Sequence, residues 1–206
     1  SITSADNHWM YLSSSGCLSA GRQKAEHALF PYVTDDLLHK NANFTGPVTY
    51  ISTDLDNKKY SWQPFSDQID NYKKDQNLYK NSLGNRVIFE EINHTLGLTF
   101  LYSWQASTKY GFVKKTKLLN HSGKKLYVKV IDGLRNILPA GVSLRTQQEM
   151  SNLANAYKVS ECNSDDNYAL YYMNALLMDK PDPGESLFSN IVWSHSSDNI
   201  ELSVNE

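Results

Sequence analysis

Between Glu90 and Pro139 the sequence passes through four successive stretches of strand character separated by short polar breaks. It closes on Asp132-Gly133-Leu134-Arg135-Asn136-Ile137-Leu138-Pro139. Phe100, Tyr102 and Trp104 fall on one side of a period of two, with Leu101 and Ser103 on the other, which is the spacing of a strand that buries an aromatic face. The strands are expected at Asn85 to Asn93, Leu96 to Gln105, Tyr110 to Asn120 and Lys124 to Asp132. Breaks fall at Asn93-His94, Ser107-Thr108 and Asn120-His121-Ser122-Gly123. Strands joined this closely should pair antiparallel with their sequence neighbours, so the pattern constrains the chain to a large antiparallel sandwich.

The remaining elements are sparser. Trp9 to Ser19 reads as a short strand interrupted at Ser13-Ser14-Ser15-Gly16, and Arg22 to Thr34 as an ordered, wandering segment. Gly46 to Asp54 reads as a strand with Val48, Tyr50 and Ser52 on one face, stopped by the turn formers Asp54-Leu55-Asp56-Asn57. Trp62 to Lys80 mixes polar and aromatic residues and is expected to be a long connection packed on the sheet. Met150, Leu153, Ala154 and Tyr157 are spaced for one amphipathic helix over Thr146 to Glu161. Strands at Tyr168 to Met178, Phe188 to Ser194 and Ile200 to Val204, with a turn at Pro181-Asp182-Pro183-Gly184, complete a mainly β chain with one or two helical decorations.

At 206 residues a β-sandwich is expected to form a single domain over 1–206. A formal net charge of -2 with no basic run leaves nothing to displace counterions from a phosphate backbone, so nucleic acid is excluded as a partner. The apolar stretch Leu96 to Tyr102 is far shorter than the roughly 20 residues that cross a bilayer, and no membrane contact is expected. Ser1 to Tyr11 shows no basic start followed by an apolar core, so no signal peptide is read there. Localisation stays open between the bacterial cytoplasm and the periplasm or exterior. Cys17 and Cys162 are too few for a disulfide framework or a thiolate zinc site and read as free thiols, with a single bridge as the alternative.

Chemistry is thinly signalled. Glu90 and Glu91 are adjacent on a strand and face opposite sides, so they cannot flank one substrate as acid and base. One is expected to be buried with a partner and the other solvated, with sugar binding as the rival use. Asp132 and Arg135 flank Gly133, where an ion pair would brace the turn or meet a polyhydroxylated ligand. His8, His27, His39, His94, His121 and His195 show no metal-ligand spacing, and no nucleophile elbow or phosphate-cradling loop occurs, so no cofactor is expected. Trp62 and Trp104 are the rings to watch for sugar stacking, against the alternative that they fill the core. Three sequons, at Asn43, Asn93 and Asn120, matter only in a eukaryotic secreted protein.

An ordered series of motifs adds a further reading: Gly16-Cys17-Leu18-Ser19, Ala28-Leu29-Phe30-Pro31-Tyr32 with Asp35-Asp36, Trp62-Gln63-Pro64-Phe65, Tyr79-Lys80-Asn81, Glu90-Glu91-Ile92-Asn93, Tyr102-Ser103-Trp104, Tyr110-Gly111-Phe112-Val113 and the Asp132 to Pro139 segment. Pro183-Gly184-Glu185-Ser186-Leu187 and Val192-Trp193-Ser194 extend it. In order and spacing the set resembles the N-terminal β-supersandwich of cellobiose phosphorylase-like glycosidases and glycoside phosphorylases. The resemblance implies a galactose mutarotase-like fold that precedes a catalytic (α/α)6 barrel, an oligo- or polysaccharide as the substrate of the whole, and room for a homodimer interface. No catalytic residue carries over, because the family's catalytic motifs lie in the barrel. The alternatives are a free-standing carbohydrate-binding module, with Trp62 and Trp104 exposed, and an aldose mutarotase-like enzyme using Glu90 or Glu91 with His94.

Overall fold

The computed structural model describes residues 1–41, 43–68, 70–175, 184, 186–196 and 200–204. Its strands are β1 (His8–Leu12), β2 (Leu18–Arg22), β3 (Ala28–Phe30), β4 (Gly46–Leu55), β5 (Lys58–Trp62), β6 (Lys74–Lys80), β7 (Arg86–Asn93), β8 (Leu98–Ser107), β9 (Gly111–Asn120) and β10 (Val128–Arg135). Two helices follow, α1 (Leu144–Glu149) and α2 (Ser151–Tyr157), and then β11 (Lys158–Asn163), β12 (Tyr168–Met173) and β13 (Ser189–Trp193). The fold is mainly β, with antiparallel sheets and few helical decorations. Residues Ser1–Leu18 and Val33–Arg135 gather into one compact unit, and Ser19–Tyr32 and Asn136–Glu206 into a second.

The first unit holds a three-stranded sheet in the order β10-β4-β5 and a four-stranded sheet in the order β6-β7-β8-β9. Asp56 and Asn57, both at positive φ, make the two-residue turn between β4 and β5, because short polar side chains tolerate the left-handed region that such hairpins need. Register sets the inward face of the larger sheet: Val87, Phe89, Glu91 and Asn93 stand opposite Trp104, Tyr102, Phe100 and Leu98. All eight of these side chains are buried. From the smaller sheet Ile51 and Trp62 turn inward, and the Trp62 ring meets Phe100 edge-on at 6.5 Å between centroids, joining the two layers of a sandwich.

Two expectations for this unit need correction. β10 does not pair with its sequence neighbour β9; it pairs with β4, from Val128 opposite Thr53 to Arg135 opposite Gly46. The connection from Asn120 to Val128 is long enough to change sheets, whereas those between β7 and β8 and between β8 and β9 are tight. Trp62 to Lys80 is more than a connection, since it contains the end of β5 and the whole of edge strand β6. β6 is almost entirely polar, Lys-Asp-Gln-Asn-Leu-Tyr-Lys, as an edge strand tolerates, and so gives no alternation to read.

In the second unit β2 pairs with β3, and β11, β12 and β13 form an antiparallel sheet in that order. The single helix expected over Thr146 to Glu161 is two short ones. Ser143 caps the first, its Oγ accepting the Thr146 N–H at 3.1 Å, and the chain breaks at Met150, where φ is -134° and ψ 39°. Ser151 and Asn152 follow at once, residues that favour caps over helix interiors. Lys158–Asn163 is then strand, held by β12. Val142, Ala154 and Met173 form a small buried cluster. Ile200 to Val204 is not strand. The expected strand past Ala175 and most of the Pro181 to Gly184 turn lie outside the described residues.

Cys17 is buried and Cys162 exposed, both as free thiols, and burial raises the Cys17 pKa. No helix among the described residues is long and apolar enough to cross a membrane.

Candidate functional site

Among the described residues the first unit holds two polar clusters and a small pocket. In the first cluster, Glu91 is fully buried and accepts three hydrogen bonds: from the Trp62 indole N–H at 2.6 Å, the Phe65 backbone N–H at 2.8 Å and the Gln76 amide at 2.6 Å. A carboxylate can stand in such a place because charge-assisted donors replace its water. The bond to Phe65 also anchors the turn after β5, where Phe65 holds a positive φ of 62° that bulky residues avoid. Its ring lies edge-on to Tyr102 at 5.3 Å and Phe89 at 6.1 Å. Trp62-Gln63-Pro64-Phe65 and Glu90-Glu91 are therefore one structural device, far apart in sequence and hydrogen-bonded in space.

The second cluster centres on Asp132. Its carboxylate takes the Thr49 hydroxyl at 2.6 Å, the Lys114 ammonium at 2.6 Å and the Thr116 hydroxyl at 2.7 Å. Register explains the meeting: Asp132 sits opposite Thr49, and Lys114 and Thr116 sit opposite Trp104 and Tyr102, so all project to one side, where Thr49 is buried and Asp132 and Thr116 stay open to solvent. Burial lowers the Lys114 pKa and the Asp132 charge pulls it back up; Lys114 also lies over the Tyr102 ring at 5.6 Å. Burial, and then the Asp132 charge, push the Tyr102 phenol well above its usual value.

The pocket lies beside these clusters and is lined by Ser15, Asn43, Pro47, Val48, Thr49, Gln63, Pro64, Phe65, Ser66, Asp67, Tyr102 and Arg135. Its volume is about 40 Å³. A water molecule needs ~10–15 Å³ by this measure, while small-molecule sites start near ~300 Å³, so the pocket has room for a few waters and not for a sugar ring. Hydroxyls, amides, one guanidinium and one carboxylate line it, a set that can hydrogen-bond a polyhydroxylated group at its mouth.

The five residues singled out from sequence fall as follows. Trp62 and Trp104 are 1% and 2% exposed, so neither ring presents a face to solvent. Glu90 is half-buried and accepts from the Asn77 amide at 2.9 Å and the Tyr79 hydroxyl at 3.1 Å. Asp132 and Arg135 are not joined as a brace. Three positions apart on a strand, they start from opposite faces, and Asp132 pairs with Lys114 while Arg135 donates to the Asn43 carbonyl at 2.6 Å. Glu91 and His94 are likewise apart in role, since His94 bonds Asp75 at 2.7 Å on the surface. The sequence does not single out Lys114 or Thr49, and it gives Phe65 only as the end of the Trp62-Gln63-Pro64-Phe65 motif; the inward parity of Lys114 within Gly111–Asn120 is the available signal.

Compared with models of known protein families the chain matches none, and compared with curated proteins it has no significant match.

Proposed function

We propose that this chain is a non-catalytic β-sandwich domain of a carbohydrate-active enzyme, a glycoside hydrolase or phosphorylase whose catalytic (α/α)6 barrel lies downstream. The observation that carries this reading is the commitment of its carboxylates. Glu91 is enclosed by three donors, Asp132 by two hydroxyls and an ammonium, and Glu90 by an amide and a phenol. Asp67 is the one carboxylate lining the pocket, and glycoside hydrolysis ordinarily needs two flanking one bond. The polar residues of the motif set lock two sheets together, which is the work of a domain that supports chemistry elsewhere. The mainly β antiparallel fold agrees with the family likeness.

The test is the intact mass of the endogenous protein together with glycoside turnover by that product. The reading expects a product much longer than 206 residues that cleaves or phosphorolyses an oligosaccharide. A product of this length that interconverts aldose anomers overturns it.

A further inference from the structure

The sheet of β11, β12 and β13 has two unlike faces. On one, Ala169 and Met173 are buried. The other is set by register: Tyr168 stands opposite Trp193, Leu170 opposite Ile191 and Tyr172 opposite Ser189, with Asn163, Glu161 and Val159 of β11 completing the rows. On this face Trp193 is 58% exposed and Ile191 40%. An indole this open in the row of a tyrosine is the reverse of Trp62 and Trp104.

We propose that this face is a platform for a neutral oligosaccharide, with Trp193 and Tyr168 stacking on sugar C–H surfaces and Glu161 accepting sugar hydroxyls. Directly opposed residues of an antiparallel pair lie ~4.5–5.5 Å apart, so the Trp193 and Tyr168 side chains leave the sheet together. Tyr172 is four residues along β12 from Tyr168, roughly 13 Å, a span that suits several sugar units laid along the strand. The Tyr172 hydroxyl donates to Glu161 Oε1 at 2.7 Å, which fixes the carboxylate in the middle row with its second oxygen available to a ligand. Glu161 stands on edge strand β11 opposite the half-buried Leu170, so an exposed hydrogen-bond acceptor borders the aromatic rows, the arrangement that a stacked sugar with hydroxyls around its rim requires. Asp165 and Asp166 follow in the adjoining turn, so uronate or phosphorylated glycans meet like charge.

This inference rests on the carbohydrate reading above. The experiment is isothermal titration of the 206-residue chain with cellohexaose, maltohexaose and an anionic oligogalacturonate, repeated on W193A, W193F and E161Q. Far-UV circular dichroism checks the fold of each variant. The expected result is saturable binding of a neutral hexaose and none of the uronate, an affinity loss of at least about tenfold in W193A, a smaller one in E161Q, and retention in W193F. Hexaose binding that survives both W193A and E161Q overturns the platform and leaves the carbohydrate reading standing. No binding of any probe also overturns the platform, and the reading is then judged on the parent product's glycoside turnover. Self-association by light scattering that W193A abolishes makes the face an interface between copies and overturns it as well.

Discussion

The Trp62 indole N–H donates to Glu91 Oε1 at 2.6 Å, a bond from the smaller sheet of the sandwich to the larger one between two fully buried side chains. Replacing Glu91 by Gln keeps the shape and removes the charge. Whichever position takes the NH2 group, it faces a donor: the Trp62 indole N–H at one, or the Phe65 N–H and the Gln76 amide at the other. E91Q should lower stability by about 3 kcal/mol, the scale on which a buried charged network loses a partner. Urea unfolding of the 206-residue chain checks it, and a change below about 0.5 kcal/mol would mean the three donors find water instead.

Gly16 and Gly123 separate two costs that glycine substitution usually mixes. Both hold positive φ, 85° and 69°, but a Cβ on Gly16 would lie 2.5 Å from the Tyr102 hydroxyl, while one on Gly123 would meet nothing within 4 Å. G123A should cost about 1 kcal/mol of backbone strain alone. G16A should cost about 2 kcal/mol more, because the Tyr102 ring is packed against Phe89 at 4.7 Å and Phe65 at 5.3 Å and cannot retreat. Equal midpoint shifts for the two variants would show that the ring yields.

The strand skeleton was legible where both periodicity and turn chemistry spoke. Phe100, Tyr102 and Trp104 alternate with less apolar neighbours, and Asp56-Asn57 is a hairpin turn by composition. Sheet membership was not legible, because β10 would satisfy its alternation beside either β9 or β4. Beside β4, Asp132 reaches Thr49, Lys114 and Thr116, contacts that no local window contains.

Asp132 and Lys114 should respond unequally to loss of the other. Removing the carboxylate in D132A leaves an ammonium 11% exposed without its counter-charge, at an expected cost of about 3 kcal/mol. Removing the amine in K114M leaves Asp132 25% exposed and still bonded to two hydroxyls, and should cost about 1 kcal/mol or less. Thermal or urea unfolding of both variants measures the asymmetry, and the reverse order would remove Lys114 as the dependent partner.

The exposed aromatic residues are harder to read than the fold, and for a definite reason. Aromatic residues in a β protein signal burial or stacking with the same letters, and only register decides. Trp104 sits in a strand whose partners on both sides turn inward with it, whereas Trp193 ends a strand whose odd positions, Ser189 and Ile191, are all exposed. In sequence Ser-Asn-Ile-Val-Trp is apolar on both faces toward its end and does not declare which one is open.

Alkaline unfolding should report on Tyr102. Burial, with the Asp132 charge behind it, raises its folded pKa above the unfolded value of about 10. Below that pH both states hold the proton and Tyr102 gives no pH dependence. Above it the unfolded chain loses the proton first, binds fewer protons than the folded chain, and stability falls as pH rises. Lys114 works in the other direction, since its lowered folded pKa makes the folded chain lose a proton first and stability rise with pH in the window beneath about 10.4. Y102F keeps the ring that stacks on Phe89 and deletes only the first effect. Wild type and Y102F should therefore run parallel in urea midpoint up to about pH 9.5 and then diverge, wild type losing up to about 1.4 kcal/mol more per pH unit. Curves that stay parallel to about pH 11 would show that the phenol titrates equally in the folded and unfolded chains.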